Sequence, residues 1–416
     1  MSPLHLSLIV WLAAAEAEPA ALAAQKQQDA APAADTAPST DIGDLWHKLR
    51  HKDEPATEDG EVAAEPQRRF LVVVPAIGSR PSTGFTLGVN GNVAFFRGDA
   101  KSTHISSMVG GFRVSQKKQV LANARFSVFT EGDRWFLQGD NRLNWTSLDT
   151  YGLGSDSGTA GAANLKFNFF RFNETAYRTV KPGLFVGVGV NVNVRSNIRA
   201  GDDETGLDRS AYLAYTQQHG FARDKQVSTG TNLGLLFDTR DNAINATRGW
   251  LAGAAYHTFF KGFVGGDATW QELSLDLRTY RPLTASGSHR LAFWLMSDLV
   301  TGGAAPYLDL PTTGGDARSG RGYTEGRYRG ERLVYGEVEY RGTLTRSGLL
   351  GFVAFVNTST IASTETGLAL FEAYAPAAGI GLRVLLNKRS RTNLTSDWAW
   401  GKQGSRGFYL GIQEAF

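Results

Sequence analysis

The chain of 416 residues has no cysteine, and after its first two dozen residues it has no long apolar run. The absence of cysteine suits a cell-envelope β protein that needs no disulfides. A membrane-spanning helix needs about 18 or more consecutive apolar residues, so a helical membrane protein is excluded. The chain also has little excess of charge of either sign, because 43 Lys and Arg are nearly balanced by 40 Asp and Glu. The net charge of +3 gives no argument for nucleic-acid binding.

The N-terminus has the pattern of an export signal. Residues 4–15 form an apolar core, and Ala15-Glu16-Ala17 or Ala21-Leu22-Ala23 offers a cleavage site between small residues. We therefore predict a signal peptide over residues 1–24. The alternative is an ordinary apolar N-terminus, because no Lys or Arg precedes the core.

Residues 25–68 are rich in Ala, Pro, Asp and Glu. Such a composition buries too little apolar surface to order itself, so the sequence predicts a disordered periplasmic tether. Within it the apolar residues Ile42, Leu45, Trp46 and Leu49 follow helical spacing, which predicts a short amphipathic helix over 40–51. That helix is either transient or a plug or periplasmic docking element.

From about Arg69 the hydrophobic pattern switches to a period of two. Leu273, Leu275 and Leu277 alternate with polar residues, as they would if one face met lipid and the other met water. A soluble sandwich also alternates. Long connectors at one end, at 146–161, 197–225, 302–330 and 360–377, favour an outer-membrane barrel, whose periplasmic turns are short.

The predicted fold class is all-β, a single transmembrane antiparallel β-barrel of sixteen strands over residues 69–416. An even count returns both ends of the barrel to the periplasm, and Pro75 is tolerated because it lies in the first strand. The predicted strands are 69–76, 84–96, 103–114, 118–130, 133–145, 162–172, 183–196, 226–238, 249–260, 268–281, 289–301, 331–343, 349–359, 378–387, 391–400 and 407–416.

A glycine-rich motif lies in the connector before the twelfth predicted strand. Gly314 and Gly315 are followed by Arg321-Gly322-Tyr323. This resembles the GG-x(n)-[VL]RG[FY] loop of the BamA/TamA-like bacterial surface antigen family, an outer-membrane insertase superfamily, with Gly320 in place of the hydrophobic residue. The resemblance implies that the loop folds back into the lumen and that Arg321 anchors to acidic residues on the barrel wall.

Other segments also resemble this family. Residues 238–241 and 337–341 match its D-x-R-[DN] segment and the acid-bearing strand after the loop, and Asn357 replaces a family Asp. Residues 150–154 resemble a subgroup without N-terminal periplasmic domains, and no such domain fits before residue 69. The implied partners of the loop are Glu339, Glu337, Asp238 and Arg240. The C-terminal strand carries an implied assembly signal, formed by Phe408, Leu410, Ile412 and Phe416.

The resemblance implies a role in assembly or translocation of proteins or lipids at the outer membrane. The alternative is a passive pore or a structural envelope barrel with a lumenal constriction loop. Expected partners are outer-membrane lipids and lipopolysaccharide, the barrel assembly machinery for insertion of the chain itself, and a periplasmic protein; nucleic acid is not expected.

The sequence does not predict an enzyme. His104, His257 and His289 lie in no Ser/Asp motif that would supply a nucleophile and its base. The sequence also contains no metal cluster, P-loop or dinucleotide fingerprint, so we expect no metal and no cofactor.

Overall fold

A computed structural model describes residues 40–42, 44, 69–80, 84–201, 204–315 and 318–416. The predicted signal peptide lies outside the described residues, as does most of the predicted tether. Of the predicted helix over 40–51, only residues 40–42 and 44 are described, and Ile42 and Asp44 are helical there.

Sixteen antiparallel strands pair in chain order, so the predicted fold class and strand number are confirmed. Each strand is hydrogen-bonded to its neighbours in chain order, so the first and last strands are the two edges of the sheet. The strands are β1 (Phe70–Arg80), β2 (Gly84–Phe95), β3 (Ser106–Ser115), β4 (Val120–Phe129), β5 (Trp135–Thr150), β6 (Ala163–Lys181), β7 (Leu184–Ala200), β8 (Lys225–Asp238), β9 (Gly249–Phe259), β10 (Trp270–Pro282), β11 (His289–Gly302), β12 (Arg332–Thr343), β13 (Leu350–Ala362), β14 (Ala375–Asn387), β15 (Thr392–Gly401) and β16 (Arg406–Ile412).

The two faces of the sheet differ as the alternation predicts. On β7, Val186 and Val188 are 49% and 61% exposed on the outer face, whereas Asn191 and Asn193 are buried on the inner face. Successive side chains of a strand point to opposite faces, so an alternating sequence places its polar residues together in the lumen.

Several strand boundaries differ from the prediction, among them the ends of β5, β6 and β16. β6 continues to Lys181 through residues that the sequence assigned to a connector, because the polar Asn173 and Thr175 lie within a paired strand and not in a turn. β16 ends at Ile412, and Gln413 adopts a positive φ of 73° that turns the last residues away from the strand direction.

The long connectors lie at one end of the sheet, which we call the long-loop end. One of them contains two short helices, α1 (Glu204–Asp208) and α2 (Ala211–Gln218). Tyr212 and Tyr215 of α2 pack edge-on against Tyr307 of the loop between β11 and β12, with ring centroids 5.5 and 5.7 Å apart. No helix among the described residues is long and apolar enough to span a membrane.

The opposite, short-turn end is crossed by the connector between β8 and β9, residues 239–248. Asp241 forms an ion pair of 2.6 Å with Arg391, in the turn between β14 and β15. Ile244 packs against Ala94 and Ile105 on the far side of the barrel. This connector therefore bridges strands that are distant around the sheet.

The described N-terminal residues also contact the short-turn end. The Thr40 amide donates to the Ser347 carbonyl at 2.9 Å, and the Lys388 amide donates to the Asp41 carboxylate at 3.1 Å. Lys388 also pairs with Asp44 at 3.0 Å. These bonds tie Thr40, Asp41 and Asp44 to the turns that follow β12 and β14.

The sheet closes at the seam between β1 and β16, which lie side by side. No backbone ladder joins them in the part of the chain that the structure describes. β16 has only seven residues against eleven in β1, and Pro75 of β1 has no amide hydrogen to donate. The seam is therefore the weakest junction in the sheet.

Candidate functional site

The loop between β11 and β12, residues 303–331, folds back on itself. The Thr313 amide donates to the Tyr328 carbonyl at 3.0 Å, and the Tyr328 amide donates to the Thr313 hydroxyl at 3.2 Å. Gly320 and Gly322 have φ values of 68° and 108°, which disfavour residues with a side chain. These turns direct Arg321 inward, where it is 4% exposed.

Arg321 is held by three carboxylates from two strands. Its guanidinium bonds Glu337 at 2.5 Å and Asp397 at 2.7 Å, and it also bonds Glu339. β12 places Glu337 and Glu339 on its inner face, two residues apart. A planar guanidinium with five donors can satisfy several carboxylates at once, which a lysine ammonium cannot do in the same geometry. We call these four residues the lumenal lock.

Further ion pairs extend the lock toward the C-terminus. Arg341 pairs with Glu339 at 2.6 Å and donates to the Phe416 carbonyl at 2.8 Å. Arg383 pairs with Asp397 at 2.5 Å and with Glu414 at 2.7 Å. The three arginines and four carboxylates are all buried, so removing one member leaves a partner charge without compensation.

Asn357 stands at the position where the resemblance described above implied an Asp. Its side-chain amide donates to the Arg321 carbonyl at 3.0 Å and to Glu337 at 3.2 Å. The third carboxylate for Arg321 is instead Asp397 on β15, which the sequence analysis missed. Trp398 and Trp400 are exposed on the outer face, and this alternation would have placed Asp397 inside.

Gly322 and Tyr323 attach the loop to β14, to β16 and to the turn between β15 and β16. The Gly322 amide donates to the Tyr409 hydroxyl of β16 at 2.9 Å, and the Tyr409 hydroxyl donates to the Tyr323 carbonyl at 3.2 Å. Ser405 donates to the Gly322 carbonyl at 2.7 Å. The Tyr323 hydroxyl donates to the Pro376 carbonyl at 2.6 Å. The loop motif therefore contacts one side of the seam directly.

The other predicted site residues lie elsewhere. Asp238 pairs with Arg240 at 2.7 Å and not with Arg321, and Arg240 also donates to the Ala243 carbonyl of the 239–248 connector. The Gly315 carbonyl accepts from Arg142 at 3.3 Å, and the positive φ of Gly314 forms a turn beside Glu325. Asp238 and Arg240 thus support the short-turn end.

The four residues of the implied assembly signal do not share one face. Phe408 packs against the exposed Trp398, with ring centroids 5.3 Å apart, and Leu410 follows two residues later on β16. Ile412 is buried at the end of the strand. Phe416 lies inside, 5.1 Å from the Trp294 ring and 6.2 Å from the Tyr280 ring. The turn at Gln413 separates Phe416 from the outer face.

Comparison with protein families gives one match, to the Omp85 superfamily domain over residues 122–416. The chain belongs to the Omp85 superfamily. The match includes the loop, the lumenal lock and the last strand. A search among curated proteins finds no match.

Solved structures of Omp85-type barrels share the fold. BamA from Haemophilus ducreyi, lacking POTRA domains 1–3, has a TM-score of 0.53 at 14% identity, with 83% of this chain and 69% of that chain covered. CdiB from Acinetobacter baumannii has a TM-score of 0.52 at 13% identity, with coverage of 83% and 59%. This chain thus spans less than two thirds of the CdiB chain. The protein is an outer-membrane β-barrel of the Omp85 superfamily.

Proposed function

We propose that this Omp85 barrel assists the assembly or translocation of proteins or lipids at the outer membrane. The observation that carries the proposal is that the buried lumenal lock lies beside a seam that has no backbone ladder among the described residues. Gly322 and Tyr323 contact Tyr409 of β16, while no backbone ladder joins β16 to β1 within the described residues.

The physical basis of the proposal is that the seam between β1 and β16 is weak whereas the lumenal lock is strong. A sheet edge in lipid leaves backbone donors and acceptors without partners, so the seam opens at lower cost than any paired junction. The loop braces β16 from inside through several buried bonds. A client strand or a lipid would then be admitted at the seam while the rest of the wall stays intact.

The proposal extends to partners. Outer-membrane lipids and lipopolysaccharide would surround the barrel, and a periplasmic protein would deliver the client. Thr40 and Asp41 lie at the short-turn end, where such a protein would approach.

Reconstitution into liposomes tests the proposal. The purified barrel should increase the rate at which a second, unfolded outer-membrane barrel inserts, and a disulfide engineered across β1 and β16 should abolish that increase until it is reduced. The chain has no native cysteine, so the engineered pair is the only one. Ion conduction without any change in insertion rate would favour the passive pore instead.

A further inference from the structure

An ionisable side chain lies on the lipid-facing wall of the barrel. Glu174 of β6 shares its face with Phe170 and Phe172, which are 44% and 41% exposed, whereas Arg171 faces the lumen and bonds Asp140. On β5, Asn141 lies on the same outer face between Gly139 and Leu143. The Asn141 side chain donates to Glu174 at 2.7 Å.

The pair lies near the middle of the hydrophobic belt. The exposed apolar side chains of β5 run from Trp135, which is paired with Arg178 of β6, to Trp145, which is paired with Asn168. From Arg178 to Asn168 the strand rises about 25 Å along the barrel axis, at about 3.3 Å per residue and a tilt of about 40°. Glu174 lies about 10 Å above Arg178 on the same estimate.

The surroundings of the pair form a shallow groove of about 630 Å³ in the outer wall. Leu137, Val188 and Leu233 line it, and Gly139 leaves room for the Glu174 carboxylate. A side chain at Gly139 would collide with the Phe126 ring and with Glu174. The outer wall of the barrel is therefore indented at the Glu174 and Asn141 side chains.

Glu174 has no basic partner in the described part of this chain. It forms a hydrogen bond with Asn141, but no lysine or arginine pairs with it among the described residues. Charged groups in the hydrocarbon region are costly, and they pair with an opposite charge or mark a functional site. The second carboxylate oxygen of Glu174 and the second N–H of Asn141 remain available to a ligand.

We propose that Glu174 and Asn141 form a docking site for a membrane-embedded protein segment that presents a lysine or arginine. Charge complementarity selects a cation. The depth of Glu174 in the membrane favours a protein over a lipid as the source of that cation. The ammonium groups of lipids lie in the headgroup layer, about 10 Å or more from Glu174 on the estimate above. A side chain on a spanning segment reaches the belt centre, and its apolar neighbours fill the groove.

Two matched peptides test the site. Each is an apolar helix of about 20 residues, long enough to span the bilayer, with a central Lys in one and a central Leu in the other. The full chain carries K181C, an exposed position at the end of β6, labelled with a fluorescent donor. Energy transfer to acceptor-labelled peptide is measured in phosphatidylcholine vesicles against peptide-to-lipid ratio.

The Lys peptide should bind about tenfold more tightly than the Leu peptide, and E174Q should remove the difference while keeping the Asn141 hydrogen bond. N168L, an outward polar position on the same strand, should leave binding unchanged. Equal binding of the two peptides, or an undiminished difference in E174Q, would overturn the proposal. Energy transfer between donor-labelled and acceptor-labelled K181C barrels without peptide, lost in E174Q, would overturn it in favour of self-association. Heat-modifiable gel mobility confirms that each variant is folded.

Discussion

At the scale of single residues, the lumenal lock concentrates charge in a small buried volume. Arg321 also lies 3.6 Å above the centre of the Phe355 ring, so its guanidinium is stacked as well as paired. Arg327, in the same loop, is equally buried but donates to Ser157 and Gln403, which are neutral. Comparing variants of the two arginines therefore separates the contribution of ion pairing to stability from the contribution of burial.

We expect Arg321→Ala to lower the free energy of unfolding by about 3–5 kcal/mol, because it leaves three buried carboxylates without their shared cation. Arg327→Ala should cost less, about 1–3 kcal/mol, because it leaves only neutral acceptors unsatisfied. Urea titration of the barrel refolded into vesicles measures both values. Equal losses in the free energy of unfolding would mean that the ion pairs of Arg321 contribute no more to stability than the neutral hydrogen bonds of Arg327.

A second residue-scale prediction concerns pH. His104, in the connector between β2 and β3, bonds Asp133 at 2.6 Å. Burial and the charge of Arg240 lower the pKa of His104, but the hydrogen bond to Asp133 and the charges of Asp238 and Asp133 outweigh them and raise the pKa above the ordinary value of 6.5. Protonated His104 is therefore favoured in the folded state. Its contribution to stability is fully present below pH 6.5 and is lost as pH rises through the raised pKa.

The wild-type barrel should therefore lose more stability than H104Q as the pH rises through that window. Urea midpoints measured across the window give the two slopes. The D133N variant serves as a second control, since it also removes the ion pair. Parallel slopes in wild type and H104Q would contradict the assignment.

At the scale of elements, β16 and the four residues after it have separate roles. β16 supplies Tyr409 to the loop, and the tail carries Phe416 into the lumen. Phe408 stays on the outer face beside Trp398. The C-terminus is thus an anchor for the interior as well as the end of the sheet.

Phe416→Ala should destabilise the refolded barrel by about 3–5 kcal/mol, because it leaves a cavity beside Trp294 and Tyr280. Phe408→Ala, at the lipid-facing surface, should cost less, since no lumenal cavity forms. The barrel is refolded without any assembly machinery, so the measurement reports the stability of the barrel and not recognition of its C-terminus by that machinery. If Phe416 served only as an assembly signal, its variant would refold with wild-type stability.

At the scale of the whole molecule, loops cross both ends of the barrel. The 303–331 loop fills the long-loop end and reaches the lock, and the 239–248 connector bridges the short-turn end through Asp241 and Ile244. A path through the lumen would have to pass both. The two loops are held by different contacts, so one can be loosened without the other.

Deleting residues 243–246 should raise the single-channel conductance in planar bilayers, because it removes the apolar contact between Ile244 and the β2 wall. Deleting the exposed turn residues 284–286 is the control, and it should leave conductance unchanged. An unaltered conductance in the first variant would show that the 239–248 connector does not limit the path.

The sequence by itself was sufficient for the fold class and strand number, and for the inward direction of Glu337 and Glu339. These follow from a local rule, because a strand alternates its faces whatever lies around it. The same rule would have placed Asp397 inside. It could not have paired Asp397 with Arg321, since the two are 76 residues apart and the distance between them depends on barrel closure.

Only the tertiary structure decided which charges meet and where the strands end. Asp238 pairs with Arg240 and not with Arg321, because the fold places Arg321 beside Glu337, Glu339 and Asp397. Phe416 leaves the outer face because the lumen offers Trp294, Tyr280 and the Arg341 donor. Each outcome is a competition between contacts made by distant strands, and no window of sequence contains the competitors together.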